Sequence, residues 1–367
     1  MVYGRYSIPP IAWQDIVDTM ATAEDALARL DERVSKSPIG EGWAARSHFL
    51  EAQALMGLEG ELVLIEDLVL HDARMDAHAP SHELTKAHSL LRGRRRLAQI
   101  DVVGVDRKLI DQLHGRSIAT NVAAAQEEDL FPPFDDENDE DNAAELTEDD
   151  DFLATLRTAD DLLSKTERSL DRIADRHRYL IYDEDWDEEG RMSAWLDVVA
   201  RTNDLPPTLA AVIVDDAWSA LTPLQHAPGM GRLMAAATLR SRAKTRSHLA
   251  LFACGLRTIP YAERRGITPV ERYLAGLRAL TAGAREGAKN HEAWMTAKTL
   301  LERKLAGRRS TSRLPELISL LLSRPLVSSR LIAAELDVSR RAARDLVADL
   351  GLREITGRGR FRAWSLM

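Results

Sequence analysis

Cysteine is nearly absent. The one residue of its kind, Cys254, leaves no internal disulfide to form. Its apolar surroundings, Leu249–Leu256, predict a buried and inert thiol in place of a reactive one. No run of about 18 apolar residues occurs, which excludes a membrane-spanning helix. Residues Met1–Pro10 lack the basic stretch and apolar core of a secretory leader. Alternating apolar and polar positions, the mark of half-buried strands, are missing except in the last fifteen residues. No repeat of 20–50 residues is present. These absences predict a protein of the reducing cytoplasm, with no membrane partner and a mostly α fold.

The charge is abundant and segregated. The whole chain carries −9, yet Glu127–Asp151 holds fourteen Asp or Glu and no Lys or Arg, so the rest is net positive. Like charges at that density repel and leave little to bury, so a disordered linker is expected at 127–151; the alternative is a DNA mimic that competes for the basic end of the chain. From Arg308 onward there are twelve Arg against six Asp or Glu. A basic module of this kind attracts phosphate backbone through counterion release, whatever the whole-chain charge.

Helical periodicity runs along most of the chain. Trp13, Ile16, Val17, Met20, Leu27, Leu30 and Val34 predict a helix over 11–35, closed by Pro38 and Gly40. Further helices are expected over Trp43–Met56, Leu58–Leu70, Ser81–Gln99, 152–181 and, with proline interruptions, Arg191–Ala306. The histidines His71, His78, His82 and His88 invite a metal reading, but Pro80 interrupts the run and none forms an i, i+4 pair backed by a carboxylate. No metal or other cofactor is assigned. The basic runs Arg92–Arg96 and Arg240–Arg246 are either an extension of a DNA surface or solvated helix faces.

The last sixty residues carry the sharpest pattern. Pro315–Ser323 presents Leu317, Ile318, Leu320, Leu321 and Leu322 to a core. Ser328 is placed to cap a second helix through Leu336, whose apolar residues are Leu331, Ile332, Ala334 and Leu336. Asp337-Val338 makes the turn, and Asp tolerates the left-handed conformation better than most residues. Ser339 caps a third helix, Arg340–Leu350, with Leu346, Val347 and Leu350 on one face. The small residues Ala333, Ala334, Ala342 and Ala343 let the two helices cross closely, as a helix-turn-helix requires. Leu352–Ile355 and Phe361–Trp364 flank the tip Thr356-Gly357-Arg358-Gly359-Arg360 as two short strands, a wing.

Such a motif reads DNA with the start of its second helix, here Ser339, Arg340, Arg341 and Arg344. Arginine can bridge the O6 and N7 atoms of guanine, and a helix N-terminus favours phosphate. Arg358, Arg360 and Arg362 in the wing are placed for phosphate or minor-groove contact. The alternative use of the same fold is docking of protein, with the arginines as a solvated face.

The middle of the chain resembles a worn Fic-type domain, a helical fold that transfers AMP or related groups to protein hydroxyls. The resemblance is carried by Leu205-Pro206-Pro207-Thr208-Leu209-Ala210-Ala211, by Asp216–Leu224 and by Gly229-Met230-Gly231-Arg232-Leu233-Met234. Active members place a catalytic His before the Pro that corresponds to Pro223; here Thr222 stands in its place. Gly229, Gly231 and Arg232 match the phosphate-cradling loop, and His226 is the nearest candidate for a displaced base. Upstream, Glu51–Gly60 resembles the inhibitory helix of that family, with Leu55 at its Ser/Thr position and Glu59-Gly60 retained. The whole chain is also similar to a family of plasmid-borne rhizobial proteins that pair a domain of unknown function with a helix-turn-helix domain.

The expected organisation is a helical region over 1–126, an acidic linker over 127–151, a Fic-like helical body over 152–306 and a winged helix-turn-helix over 307–367. The expected function is that of a regulator that binds double-stranded DNA. With the catalytic His missing, no residue is assigned a catalytic role. The body would then serve dimerisation as a homodimer, ligand sensing or partner binding. A divergent nucleotidyl or phosphoryl transferase is the alternative.

Overall fold

A computed structural model describes residues 6–75, 79–114, 186–225, 227, 229–305, 312–355 and 362–366. The described residues are mostly helical, with two very short strands near the C-terminal end, so the fold is mostly α. The acidic segment 127–151, the helix expected over 152–181, His78, His226 and the wing tip with Arg358 and Arg360 lie outside the described residues.

Contacts divide the chain into two compact units. One comprises Met1–Asp76, Ser81–Arg107 and Asp187–Met367; the other comprises Ala77–Pro80 and Lys108–Trp186. The second unit contributes most of one described helix, α5 (Arg107–His114), in which Leu109, Ile110 and Leu113 are buried.

The first unit opens with α1 (Trp13–Ser35), α2 (Gly40–Leu58), α3 (Ile65–Asp72) and α4 (His82–Gln99). In α1 the packed stripe is Ile16, Ala23, Leu27, Leu30 and Val34. Trp13 and Val17, expected on that face, are exposed; Val17 is turned about 100° from Ile16 around the helix axis. The break between α2 and α3 falls at 59–64, inside the helix expected over Leu58–Leu70. Gly60 adopts φ +82°, and the Glu61 amide donates back to the Met56 carbonyl at 3.0 Å. That left-handed cap ends α2 and leaves 61–64 as a connector.

The chain continues through α6 (Glu188–Arg201), α7 (Pro207–Leu221), α8 (Met230–Ser241), α9 (Phe252–Thr258), α10 (Tyr261–Arg264) and α11 (Pro269–Arg303). Thr268 and Glu271 form a reciprocal capping box at the start of α11. At 35 residues this helix is about 50 Å long, and α1, α7 and α9 pack along it. The approach of α9 depends on glycine. A Cβ on Gly255 would lie 1.9 Å from the Ala279 carbonyl oxygen, and one on Gly283 2.0 Å from that of Leu251.

Indole rings fill the centre. Trp195 and Trp218 meet edge to face at 5.0 Å, and their N–H groups donate to the carbonyls of Val214 and Ala227. Glu51, fully buried on α2, accepts from the amides of Ala253 at 2.7 Å and Cys254 at 3.0 Å, and so caps α9. Arg94 lies beside it, with Nη1 3.7 Å from the Glu51 carboxylate and Nη2 donating to the Ala250 carbonyl. Burial, and then the Glu51 charge, push the Cys254 thiol well up, which suits an inert cysteine.

Candidate nucleic-acid interface

The C-terminal module is built from α12 (Leu314–Ser323), β1 (Val327–Ser328), α13 (Ser329–Leu336), α14 (Arg340–Leu350) and β2 (Ala363–Trp364). Each helix end is set by a local signal. The Ser328 hydroxyl accepts from the Leu331 amide at 3.1 Å, and the Ser339 hydroxyl accepts from Ala342 at 3.1 Å. Asp337 closes α13 with φ 50° and ψ 55°, the left-handed conformation the turn requires. Gly351 closes α14 in the same region.

The wing strands pair as the sequence suggests. Glu354 bridges Trp364, and the Ile355 amide donates to the Ala363 carbonyl at 2.9 Å. The sheet also gains β1, which pairs antiparallel with β2 in the register Val327–Trp364 and Ser328–Ala363. Two residues are too few for a periodic signal, so β1 was not expected.

Within α14, Ala343, Val347 and Leu350 face the core, with Leu346 half-buried. Ser339, Arg340, Arg341 and Arg344 are all exposed at its start, and no acidic residue occupies its first turn. The Arg344 Nε donates along the helix to the Arg340 carbonyl at 3.4 Å. Arg362 is exposed and sits 3.5 Å from the Glu354 carboxylate. Hence the recognition-helix residues predicted from sequence share one exposed helix start. Arg362 stands at the base of the wing. Ala334, expected in the core, is exposed.

The module is anchored to the helical body by groups whose pairing the sequence does not advertise. Arg46 of α2 is buried and reaches the end of α12. Its Nη1 donates to the carbonyls of Leu321 at 3.0 Å and Arg324 at 3.2 Å, and its Nη2 to that of Pro325 and to the Ser365 hydroxyl. The guanidinium also lies over the Trp294 ring at 4.6 Å. Burial pulls its pKa down to about 10, so it stays cationic at neutral pH. Lys304, just after α11, donates to the Leu350 carbonyl at the end of α14. Leu326 and Ala363 join Phe49, Met56, Leu68 and Leu91 in a shared hydrophobic cluster.

Asp72 is the second anchor. Its carboxylate accepts from Arg95 Nη1 at 2.5 Å and Nη2 at 3.0 Å, from Arg324 Nη1 at 2.5 Å, and lies 3.3 Å from His88 Nε2. Burial alone would raise its pKa. Hydrogen bonds from His88 and Arg95, with the charges of Arg95 and Arg324, outweigh that and hold the carboxyl well below the usual range. The ring of His71 packs edge-on against His88 at 4.7 Å, so these two histidines stand within this network. Among the described residues, no three His, Cys, Asp or Glu side chains gather to hold a metal ion.

The loop residues of the Fic resemblance lie at the N-terminus of α8. Arg232 faces the buried Asp215, with Nε 3.4 Å from Oδ1. A Cβ on Gly231 would meet that same Asp215 oxygen at 2.8 Å and Trp218 Cβ at 2.9 Å; one on Gly229 would meet Leu90 at 2.8 Å. These positions are thus packed against protein atoms. Thr222 ends α7 with φ 42°, its hydroxyl accepting from Arg191 at 3.2 Å. Upstream, Leu55 is buried near Ala253, and Glu59 pairs with Lys86.

No helix among the described residues is long and apolar enough to cross a membrane. Residues 314–367 match a family model described as an HTH DNA binding domain. Residues 180–306 match a model described as a protein of unknown function (DUF1612). The chain is 40% identical over 382 residues to the "Uncharacterized protein y4cF" of Sinorhizobium fredii (strain NBRC 101917 / NGR234), an alignment that covers 99% of this chain and all of that one. The chain therefore belongs to the same family as y4cF, and it carries a DUF1612 region followed by a C-terminal helix-turn-helix DNA-binding domain.

Proposed function

We propose that this protein is a transcriptional regulator that binds double-stranded DNA through α14 and the wing, with a helical body that performs no catalysis. The observation that carries this reading is the exposed cluster Ser339, Arg340, Arg341 and Arg344 on a capped helix start. Arginines there suit bidentate contact with guanine, and a helix N-terminus with no acidic residue in its first turn suits a backbone phosphate. Arg362, with Arg358 and Arg360 on the same segment of sequence, would add phosphate contacts that position the module without reading sequence. A mobility-shift assay at low and physiological salt tests the reading. Loss of binding in the Arg341→Ala, Arg344→Ala double variant is expected, and unchanged binding would remove the assignment of α14.

The non-catalytic reading of the body draws support from the packing around Gly231 and from the engagement of Arg232 by Asp215. The role of that body is to hold the module. ATP turnover that disappears in Arg232→Ala would overturn this part. A homodimer would offer two recognition helices to two half-sites, a state that sedimentation of the full chain resolves.

A further inference from the structure

The basic runs near the ends of α4 and α8 converge on a feature that DNA binding does not use. Arg95 and Gln99 of α4, Arg240 at the end of α8, and the segment Arg246-Ser247-His248 border one open cleft of about 1040 Å³. Arg240 spans the two runs, its Nη2 donating to the Ala98 carbonyl at 2.9 Å and its Nη1 to that of Arg246 at 3.5 Å. The N-terminus of α2 opens on the same cleft at Gly40 and Glu41, and its N-cap, Ile39, offers no side-chain acceptor.

Two buried histidines line the cleft as well, His48 at 7% exposure and His248 at 3%. Nδ1 of His48 and Nε2 of His248 have no hydrogen-bond partner among the described residues. Nδ1 of His248 lies 3.2 Å from Asp31. Three guanidinium groups, Arg95, Arg240 and Arg246, face one acidic side chain on the lining, Glu41. Arg95 is paired with Asp72 and Arg246 lies 3.6 Å from Asp31. Arg240, held by backbone carbonyls, therefore carries the uncompensated charge, to which a 19-residue helix adds the positive end of its dipole.

We propose that this cleft binds a small phosphate-bearing metabolite. Its volume lies at the upper end of small-molecule sites, which run to about 1,000 Å³, and suits a phosphorylated metabolite better than a lone ion. Arginine forks and a helix N-terminus are the usual recognition elements for phosphate. Arg246 stands exposed at the rim, while Arg95 and Arg240 are half-buried within.

Occupancy has a route to the DNA-binding module, a consequence that rests on the function proposed above. Arg95 lines the cleft and at the same time holds Asp72, the carboxylate that holds Arg324. A phosphate that draws Arg95 away alters the charge balance at that anchor.

Calorimetry with inorganic pyrophosphate at fixed ionic strength tests the site, with citrate as a non-phosphate polyanion. Saturable one-to-one binding is expected, weakened about tenfold in Arg240→Gln. Because Arg240 also makes backbone contacts, the rim variant Arg246→Ala provides a second reading, with a loss of about threefold. Failure of pyrophosphate to bind, equal affinity in both variants, or equal affinity for citrate would overturn the phosphate site. The same pyrophosphate concentration, balanced with sulfate, is then added to a DNA-binding assay. A shift in DNA affinity that Arg240→Gln abolishes supports the coupling. Unchanged DNA affinity in a protein that binds both ligands overturns the coupling alone. Loss of all DNA binding with pyrophosphate still bound overturns the DNA reading and the coupling together, while the site stands.

Discussion

Arg324, the first residue beyond α12, sets its Nη1 2.5 Å from Oδ2 of Asp72, the last residue of α3. This pair ties the DNA-binding module to the body across 252 residues of sequence. Asp72 also answers Arg95, so its removal takes a carboxylate from two guanidinium groups at once and leaves Arg324 with Glu335 at 3.5 Å. Breaking a buried pair from one side is far more damaging than replacing both partners. Asp72→Asn should therefore lower stability by about 3 kcal/mol in urea unfolding. Hydrogen exchange over 314–350 should rise with it. An unchanged urea midpoint would refute the anchoring role.

Acid should loosen the same contact. Asp72 and Asp31 both hold their carboxyls below the usual range. In Asp31, burial opposes the shift and is outweighed by hydrogen bonds from His248 and Ser247. A depressed pKa in the folded state means that the unfolded chain takes up protons first as pH falls. The stabilisation from both groups is then fully present at neutral pH and drains away below about pH 5, toward the low folded-state values. Urea midpoints measured from pH 7 down to 3 should fall more steeply for the native sequence than for Asp72→Asn.

Glycine spacing between α9 and α11 makes a sharper steric claim. Gly255→Ala would drive a methyl carbon to 1.9 Å from the Ala279 carbonyl oxygen, a rigid backbone atom. A loss of about 3 kcal/mol is expected from the forced separation of the two helices. Gly57→Ala serves as the control. Its added carbon meets only the flexible Arg257 side chain, at 3.7 Å, and helix propensity favours alanine by up to about 1 kcal/mol. Thermal unfolding of the two variants should move in opposite directions.

The contrast between the module and the body explains how much could be read from sequence. Ser328, Asp337 and Ser339 act on groups within three or four residues of themselves, so the helix ends of the module were legible, and with them the exposed arginines of α14. Gly60 carries a comparable local signal, but the apolar positions on either side of it suggested continuous helix. The anchors are of another kind. Arg46 meets Leu321 across 275 residues, and Glu51 meets Ala253 across 202. Neither spacing nor composition identifies such partners. The Arg92–Arg96 run illustrates the same limit: Arg94 is buried beside Glu51, while Arg95 divides itself between Asp72 and the cleft.

The Ser339 cap offers a local test of the recognition helix. Ser339→Ala removes the acceptor for the Ala342 amide and should cost about 1 kcal/mol. Ser339→Asp should restore most of that stability while placing a negative charge where a phosphate would sit. Unfolding and DNA affinity should therefore separate in the aspartate variant: stability recovered, binding weakened.

The most direct test of the account is the salt dependence of DNA affinity, measured by fluorescence anisotropy on a duplex with the full chain. The native sequence should bind with log K falling linearly against log salt concentration. In the Arg341→Ala, Arg344→Ala double variant the affinity should drop at least about tenfold and the slope should flatten by roughly 1–2, with an unchanged urea midpoint. Affinity and slope equal to those of the native sequence, or no salt-dependent binding by the native sequence at all, would contradict the account.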